Sequence, residues 1–249
     1  MPNHRRYGQK HGNRGYITTI KMKTRSRRYK SSAEEIDNSK DYDLKEAFEG
    51  LSKQSKVKFD ESIELSFSLG VDPKQSSQSV RGTVNLPHGS GKDVKVLVFT
   101  ENPEDAIKLG AEHAGLEDLI GKIKDGWTDF DVALSTTAAM KSVRSIARVL
   151  GPRGLMPTPK AGTVTDNLED AIKEVKAGRV EFKMDKTGAM AVLIGKSSFS
   201  TEQLVENANS AIQAVSSSRP DGFKGKFVKS AHVSSTMNPS LKLNSAIFN

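Results

Sequence analysis

The hydrophobic texture of the chain changes twice along its length, and this limits the fold more than any other feature. Ile63, Leu65, Phe67 and Leu69 alternate with Ser62, Glu64, Ser66 and Ser68, the two-residue period of a strand with one buried and one wet face. From Val94 to Phe99 the chain is almost wholly apolar and β-branched, and Phe130 to Leu134 reads as another strand. Helical patterns fill Pro103 to Ala114, Leu116 to Lys124 and Thr137 to Leu150. Continuous apolar strands alternating with helices belong to a parallel sheet covered on both faces. After residue 159 the half-polar texture returns. A helix carries Leu168, Ala171, Ile172 and Val175 on one side and stops at Gly178. A hairpin follows, Val180 to Asp185, through Lys186-Thr187-Gly188, and out from Ala189 to Ile194. Next comes a helix with Leu204, Val205, Ala208, Ala211, Ile212 and Val215, then a last strand over Lys226 to Ser234.

Like textures on both sides of a different one imply a split domain. The chain reads as an α/β protein: an α+β terminal domain built from residues 22–87 and 159–249, interrupted by a Rossmann-like, three-layer α/β domain at residues 88–158. The junctions are rich in Pro and Gly, Leu86-Pro87-His88-Gly89-Ser90-Gly91 on one side and the run from Gly151 to Lys160 on the other. Two adjacent linkers of this kind act together as a hinge. The 249 residues suffice for two modest domains. Within the terminal domain Leu44, Ala47, Phe48 and Leu51 share one helical face.

Charge is distributed as unevenly as hydrophobicity. Residues 1–30 hold ten Lys or Arg and no acidic residue, so the formal charge of +8 leaves the remaining chain at −2. Arg5, Arg6, Arg14, Arg25, Arg27 and Arg28 are interleaved with Tyr7, Tyr16 and Tyr29, a composition suited to phosphates and stacked bases. Charge alone leaves RNA, DNA, anionic lipid and a solvated or targeting tail open. Residues 1–21 are expected to form a disordered basic extension, and Met22 offers an alternative start. With no Cys there is no disulfide framework, thiolate metal site or cysteine nucleophile. No apolar run reaches the roughly 18 residues of a membrane-spanning helix.

Catalytic patterns fail one by one. Gly89-Ser90-Gly91-Lys92 would be a phosphate loop only with Gly in place of Leu86 and Ser or Thr in place of Asp93. A dinucleotide fingerprint would need Gly or Ala at Val94, and the stretch precedes a strand where it should follow one. The five His residues, His4, His11, His88, His113 and His232, show no metal-binding spacing. The carboxylate pairs Glu34-Glu35 and Glu104-Asp105 sit at expected helix starts, where they meet the positive dipole end. Lys141, Arg144 and Arg148 form a basic stripe that reads equally as a solvated face or a phosphate contact.

The run from Val149 to Val164, Val-Leu-Gly-Pro-Arg-Gly-Leu-Met-Pro-Thr-Pro-Lys-Ala-Gly-Thr-Val, closely resembles the signature of the ribosomal protein L1 family, bacterial type. The likeness extends to Leu69–Pro73, Val80–Val84, Leu86–Gly89, Gly126–Val132, Asp185–Gly188 and Ser234–Met237, and covers about Met22 to Leu243. The resemblance implies a two-domain, non-enzymatic protein, without cofactor or metal, whose terminal domain grips large-subunit ribosomal RNA to form a mobile stalk. It implies a cytoplasmic, ribosomal location with no membrane contact, a monomer when free, assistance to the release of exit-site transfer RNA, and repression of its own operon messenger RNA. The alternative from a different class is a small α/β enzyme binding a nucleotide at the strand ends of residues 88–158.

Carried over position by position, the family contact surface falls on Lys58, Phe59, Ser62 and Glu64 of the first strand, Asp185, Lys186 and Thr187 of the hairpin, and Ser230, Thr236, Met237 and Asn238 of the last segment. Ser62 and Glu64 lie on the polar face of their strand, where hydroxyls and a carboxylate can bond 2′-hydroxyls and base edges, while Lys58 and Lys186 meet phosphates. Read alone, Phe59 belongs in a core; the resemblance moves it to the RNA surface. Three departures stand out. Asn238 occupies a position usually Gly in the family, which puts a side chain at the RNA face and calls for a residue tolerant of positive φ. Ala191 and Leu193 replace a usual His and Pro. Residues 1–21 have no family counterpart, and losing them takes the charge from +8 to +3.

Overall fold

The computed structural model describes residues 25–37, 40–75 and 78–248. The expected disordered extension at residues 1–21 lies outside the described residues. In chain order the first half comprises α1 (Arg27–Glu34), α2 (Leu44–Lys53), β1 (Ser62–Leu69), β2 (Arg81–Asn85), β3 (Val96–Phe99), α3 (Pro103–Lys108), β4 (His113–Gly115), α4 (Glu117–Lys124) and β5 (Val132–Ser135). The second half comprises α5 (Met140–Val143), α6 (Ala147–Leu150), α7 (Leu168–Lys176), β6 (Arg179–Lys183), β7 (Ala189–Lys196), α8 (Thr201–Ser217), β8 (Val228–Ser235) and β9 (Leu241–Lys242). None of the described helices is long and apolar enough to cross a membrane.

Alternation in β1 does what its period requires. Ile63, Leu65, Phe67 and Leu69 are at most 3% exposed, whereas the residues between them face outward. The antiparallel sheet has the order β7-β1-β8-β9. Its inner face packs on Leu44, Ala47, Phe48 and Leu51 of α2 and on Leu204, Ala208, Ala211, Ile212 and Val215 of α8. Each fully buried Leu or Phe of this layer contributes about 1.5–3 kcal/mol. Helix α8 begins at a capping box in which Ser200 and Gln203 satisfy each other's backbone N–H.

The expected hairpin from Val180 to Ile194 forms differently. Strand β6 pairs with β2 in a separate two-stranded sheet, and β7 pairs with β1. The turn between them therefore carries the chain from one sheet to another. Gly82 makes the first pairing possible, because a Cβ there would meet the Phe182 ring at 2.8 Å.

Strands β3, β4 and β5 form a parallel sheet of order β4-β3-β5. On one face Leu97, Phe99 and Ala133 pack with α4, α5 and α6; on the other Val96, Val98 and Leu134 pack with Ala106 of α3 and Ala171, Ile172 and Val175 of α7. Helix α7 thus supplies the third layer. The boundary expected at residue 158 stops short of it, because the hydrophobic face of α7 reads the same whichever sheet it covers. Residues 163–165 also join this sheet: Ser135 bridges Val164 in parallel and exchanges backbone bonds with Thr163 and Thr165.

Three helix expectations need correction. The pattern from Pro103 to Ala114 ends as a helix at Lys108, where Gly110 takes φ +102° and Glu112 bonds the backbone of Val96 in both directions, drawing the chain into β4. The pattern from Thr137 to Leu150 tightens to a 3₁₀ turn at Arg144–Ile146 between α5 and α6. Helix α1, opened by Ser26 as N-cap, ends at Glu34 with Glu35 as its C-cap, so the Glu34-Glu35 pair closes a helix where the sequence pattern predicts the start of one.

The two chain crossings between the sheets touch. Gly178 has φ +105°, and a Cβ on it would stand 2.4 Å from Gly89 Cα. Asn207 of α8, fully buried, accepts the His88 N–H at 3.1 Å and donates to the carbonyls of Gly89 at 3.1 Å and Ile194 at 2.8 Å.

Candidate nucleic-acid interface

Among the described residues, no helix covers the outer face of the β7-β1-β8-β9 sheet. It presents Glu64, Ser66 and Ser68 from β1, with Ser234, His232 and Ser230 directly opposite them on β8. These are hydroxyls, a carboxylate and an imidazole on a half-exposed surface, a set that can exchange hydrogen bonds with sugars and base edges. Burial, with the charge of Lys242, lowers the His232 pKa against the opposing pull of Asp41, which favours the neutral imidazole.

One end of this face is a built turn. Thr236 Oγ1 accepts the Ser62 N–H at 3.0 Å and donates to the Ser62 carbonyl at 3.3 Å, continuing the β1–β8 ladder through a side chain. The Ser62 hydroxyl accepts from Lys196 Nζ at 3.0 Å. Behind the turn Glu61, 3% exposed, accepts the Met237 N–H at 2.9 Å, the Ser235 hydroxyl at 3.3 Å and Asn238 Nδ2 at 3.3 Å. From the other side Arg28 of α1 donates to the Met237 carbonyl at 2.7 Å, the Ser55 carbonyl at 3.1 Å and Asn238 Oδ1. Met237 itself stands 50% exposed, and Phe59, in the bend two residues before Glu61, is 54% exposed. They are two of four large hydrophobic side chains exposed among the described residues, and they belong to one end of one sheet.

Two expectations about this end change. Lys58 and Phe59 lie in a bend ahead of β1 and not on the strand, which begins at Ser62. Asn238 does not protrude: its amide turns inward onto Glu61, Ser235 and Arg28, and no described residue other than Gly has positive φ, so the position does not require glycine.

Asp185, Lys186 and Thr187 form the turn at the far end of β1, tied there by the bond from the Leu69 N–H to the Gly188 carbonyl at 2.8 Å. Seven residue steps along β1 separate the two ends, about 23 Å. The Asp185 carboxylate accepts the Thr187 hydroxyl at 2.7 Å, the Thr187 N–H at 2.8 Å and the Ala189 N–H at 2.9 Å, leaving Lys186 exposed at the tip. Those bonds, the Thr187 hydroxyl foremost, lower the Asp185 pKa. A depressed carboxylate stabilises the fold above its ordinary pKa, and that contribution is lost as pH falls through the depressed value. Asp185→Asn is accordingly expected to melt below the unaltered chain at neutral pH, with the gap closing on acidification from about pH 5 through the ordinary Asp value of about 3.9 and below it. A gap constant across that range in paired thermal melts would contradict the assignment.

The sequence reading names the turn residues but not Glu61, and it gives Arg28 only as a basic residue of the tail with no part in holding the turn. Glu61 was detectable: it continues the inward phase of Ile63 and Leu65. Arg28 was not, since its partners are more than 200 residues away. The stripe of Lys141, Arg144 and Arg148 is exposed. At the strand end where a nucleotide would sit, Asp166 already accepts the Thr137 N–H and hydroxyl, both at 3.0 Å.

Comparison with known proteins finds relatives over most of the chain. The sequence model described as "Ribosomal protein L1p/L10e family" matches residues 51–239. The chain is 49% identical over 225 residues to the large ribosomal subunit protein uL1 of Kosmotoga olearia, covering 90% of this chain and 97% of that one. It is 50% identical over 229 residues to uL1 of Persephonella marina, covering 90% and 95%. With uL1 of Thermus thermophilus it shares 45% identity over 226 residues, covering 90% and 99%.

Proposed function

The chain belongs to the ribosomal protein L1p/L10e family, and from that premise we propose that the open face of its four-stranded sheet, with the turns at both ends, grips a structured segment of large-subunit ribosomal RNA. The protein is a constituent of the large ribosomal subunit in the cytoplasm, in a family of non-enzymatic proteins. The observation that carries the RNA reading is the exposure of Phe59 and Met237 beside Thr236 and Ser62. Two large apolar side chains left in water at the rim of a hydrogen-bonding face suit sugar edges and unstacked bases. A preformed face of this kind needs little net charge, which fits a body of −2 beyond residue 30.

The reading extends to a mobile stalk. The crossings at His88-Gly89 and Ala177-Gly178 form the hinge, with the inserted unit running from residue 88 through α7, and the body swings as exit-site transfer RNA leaves. A messenger RNA element of the same shape competes for the same face, so the free monomer represses translation of its own operon.

The test is salt-titrated binding to a stalk-region ribosomal RNA fragment, comparing the full chain with one starting at Met22. Both are expected to bind tightly. The shorter chain lacks Arg5, Arg6, Lys10, Arg14 and Lys21, so its log K against log salt is expected to be shallower. Loss of binding on truncation would move recognition to the tail and overturn the reading.

A further inference from the structure

Between α1 and the Thr236–Asn238 turn lies an open cavity of about 480 Å³, lined by Arg25, Arg28, Tyr29, Ser234, Thr236 and Met237 among others, within the size range of small-ligand sites. Its charge is unbalanced. Among the described residues, no ion pair involves Arg25 or Arg28. The three bonds that Arg28 makes go to two carbonyls and an amide oxygen, all neutral acceptors. A guanidinium has five N–H donors, so two of its donors remain for another acceptor. The Arg25 guanidinium lies 4.6 Å from the centroid of the Tyr29 ring, stacked and exposed instead of paired with a carboxylate.

From this cavity we propose that α1 forms a second RNA subsite, taking a phosphodiester group between Arg25 and Arg28 with its sugar or base against Tyr29. The inference rests on the RNA reading of the sheet face and adds to it a contact that no part of the strand surface supplies. A bidentate guanidinium matches two nonbridging phosphate oxygens, and an aromatic ring beside it accepts a base or ribose face. Thr236 and Met237 line the same cavity, so an RNA strand engaged by the turn passes directly into it. Arg28 then has two duties, holding the Met237 carbonyl and neutralising a phosphate, whereas Arg25, which among the described residues makes no hydrogen bond or ion pair and stacks on Tyr29, serves the phosphate alone.

That difference makes Arg25→Gln the deciding variant, with Arg28→Gln as the companion that loosens the turn as well. Binding of the stalk-region RNA fragment by the full chain is measured across salt, alongside thermal melts. Arg25→Gln is expected to weaken binding about three- to tenfold near physiological salt and to reduce the slope of log K against log salt by about one, with an unchanged melting temperature. RNA bearing a single methylphosphonate at each position in turn identifies the phosphate: where neutralising it weakens the unaltered chain, Arg25→Gln is expected to cost nothing further. If Arg25→Gln leaves affinity and slope unchanged while Thr236→Ala with Met237→Ala removes binding, the second subsite is wrong and the sheet-face reading stands. If the unaltered chain does not bind this RNA, both fall together.

Discussion

Changing Thr236 and Met237 together to Ala is expected to lower affinity for the stalk-region RNA by a factor of about 60 to 700 while leaving the salt slope as it was. The size follows from what each side chain offers. Met237, half exposed in the free protein, is expected to bury its thioether arm on the RNA, an effect of about 1.5–2 kcal/mol. The Thr236 hydroxyl, whose oxygen anchors the Ser62 backbone, keeps a lone pair for a 2′-hydroxyl. Losing that bond in a desolvated contact costs about 1–2 kcal/mol. Together about 2.5–4 kcal/mol corresponds to a factor of about 60 to 700 in Kd. The slope stays because neither residue neutralises a phosphate. Because Thr236 also continues the β1–β8 ladder, Thr236→Ser with Met237→Leu serves as the control that keeps hydroxyl, ladder and apolar volume, and it is expected to bind within about threefold of the unaltered chain. A double alanine variant that melts normally and binds within threefold would show that the RNA lies elsewhere.

That strand β1 and the inward phase of Glu61 are legible in the sequence while the support from Arg28 is not has a physical basis. Local periodicity fixes which face a residue takes, so the alternation of Ser62 to Leu69 gave β1, its open face and its core in one step. The same periodicity does not say which sheet an apolar helix face will cover, and α7 was therefore assigned to the flanking domain when Ala171, Ile172 and Val175 close the parallel sheet. Nor does it say which strand a strand will pair with: β6 and β7 are consecutive and have hairpin turn chemistry, yet Gly82 makes room for Phe182 and takes β6 away. The candidate surface came from family resemblance, residue by residue, and what that could not give was the state of Asn238. A side chain where glycine is usual looked like an obstruction; in the structure it is a link between a buried carboxylate and a guanidinium. Such links are long-range, with Arg28 and Asn238 separated by 210 positions, and only the folded chain brings them together.

That link sets the largest stability effect expected at this end of the molecule. Glu61 is nearly fully buried, and the donors that reach it are neutral: the Met237 N–H, the Ser235 hydroxyl and the Asn238 amide. Glu61→Ala strands all three without an acceptor, and at about 1 kcal/mol or more for each buried donor left unsatisfied the fold is expected to lose about 2–4 kcal/mol. RNA affinity is expected to fall with it, because Met237 and Thr236 sit on the turn those bonds hold. Glu61→Gln separates charge from volume. The new amide must turn one N–H toward a site now occupied by donors. If Asn238 flips to accept it, the Asn238 amide N–H then faces Arg28, which can only donate. The mismatch is passed along the chain from Glu61 to Asn238 to Arg28 and does not disappear, so Glu61→Gln is expected to cost about 1–2 kcal/mol despite its near-identical shape. A double-mutant cycle of Glu61→Gln with Arg28→Gln, read by urea unfolding, is expected to show coupling of about 1 kcal/mol. Additive effects would mean that Asn238 does not connect the two, and an unchanged melting midpoint for Glu61→Ala would mean that the turn is held by its backbone alone.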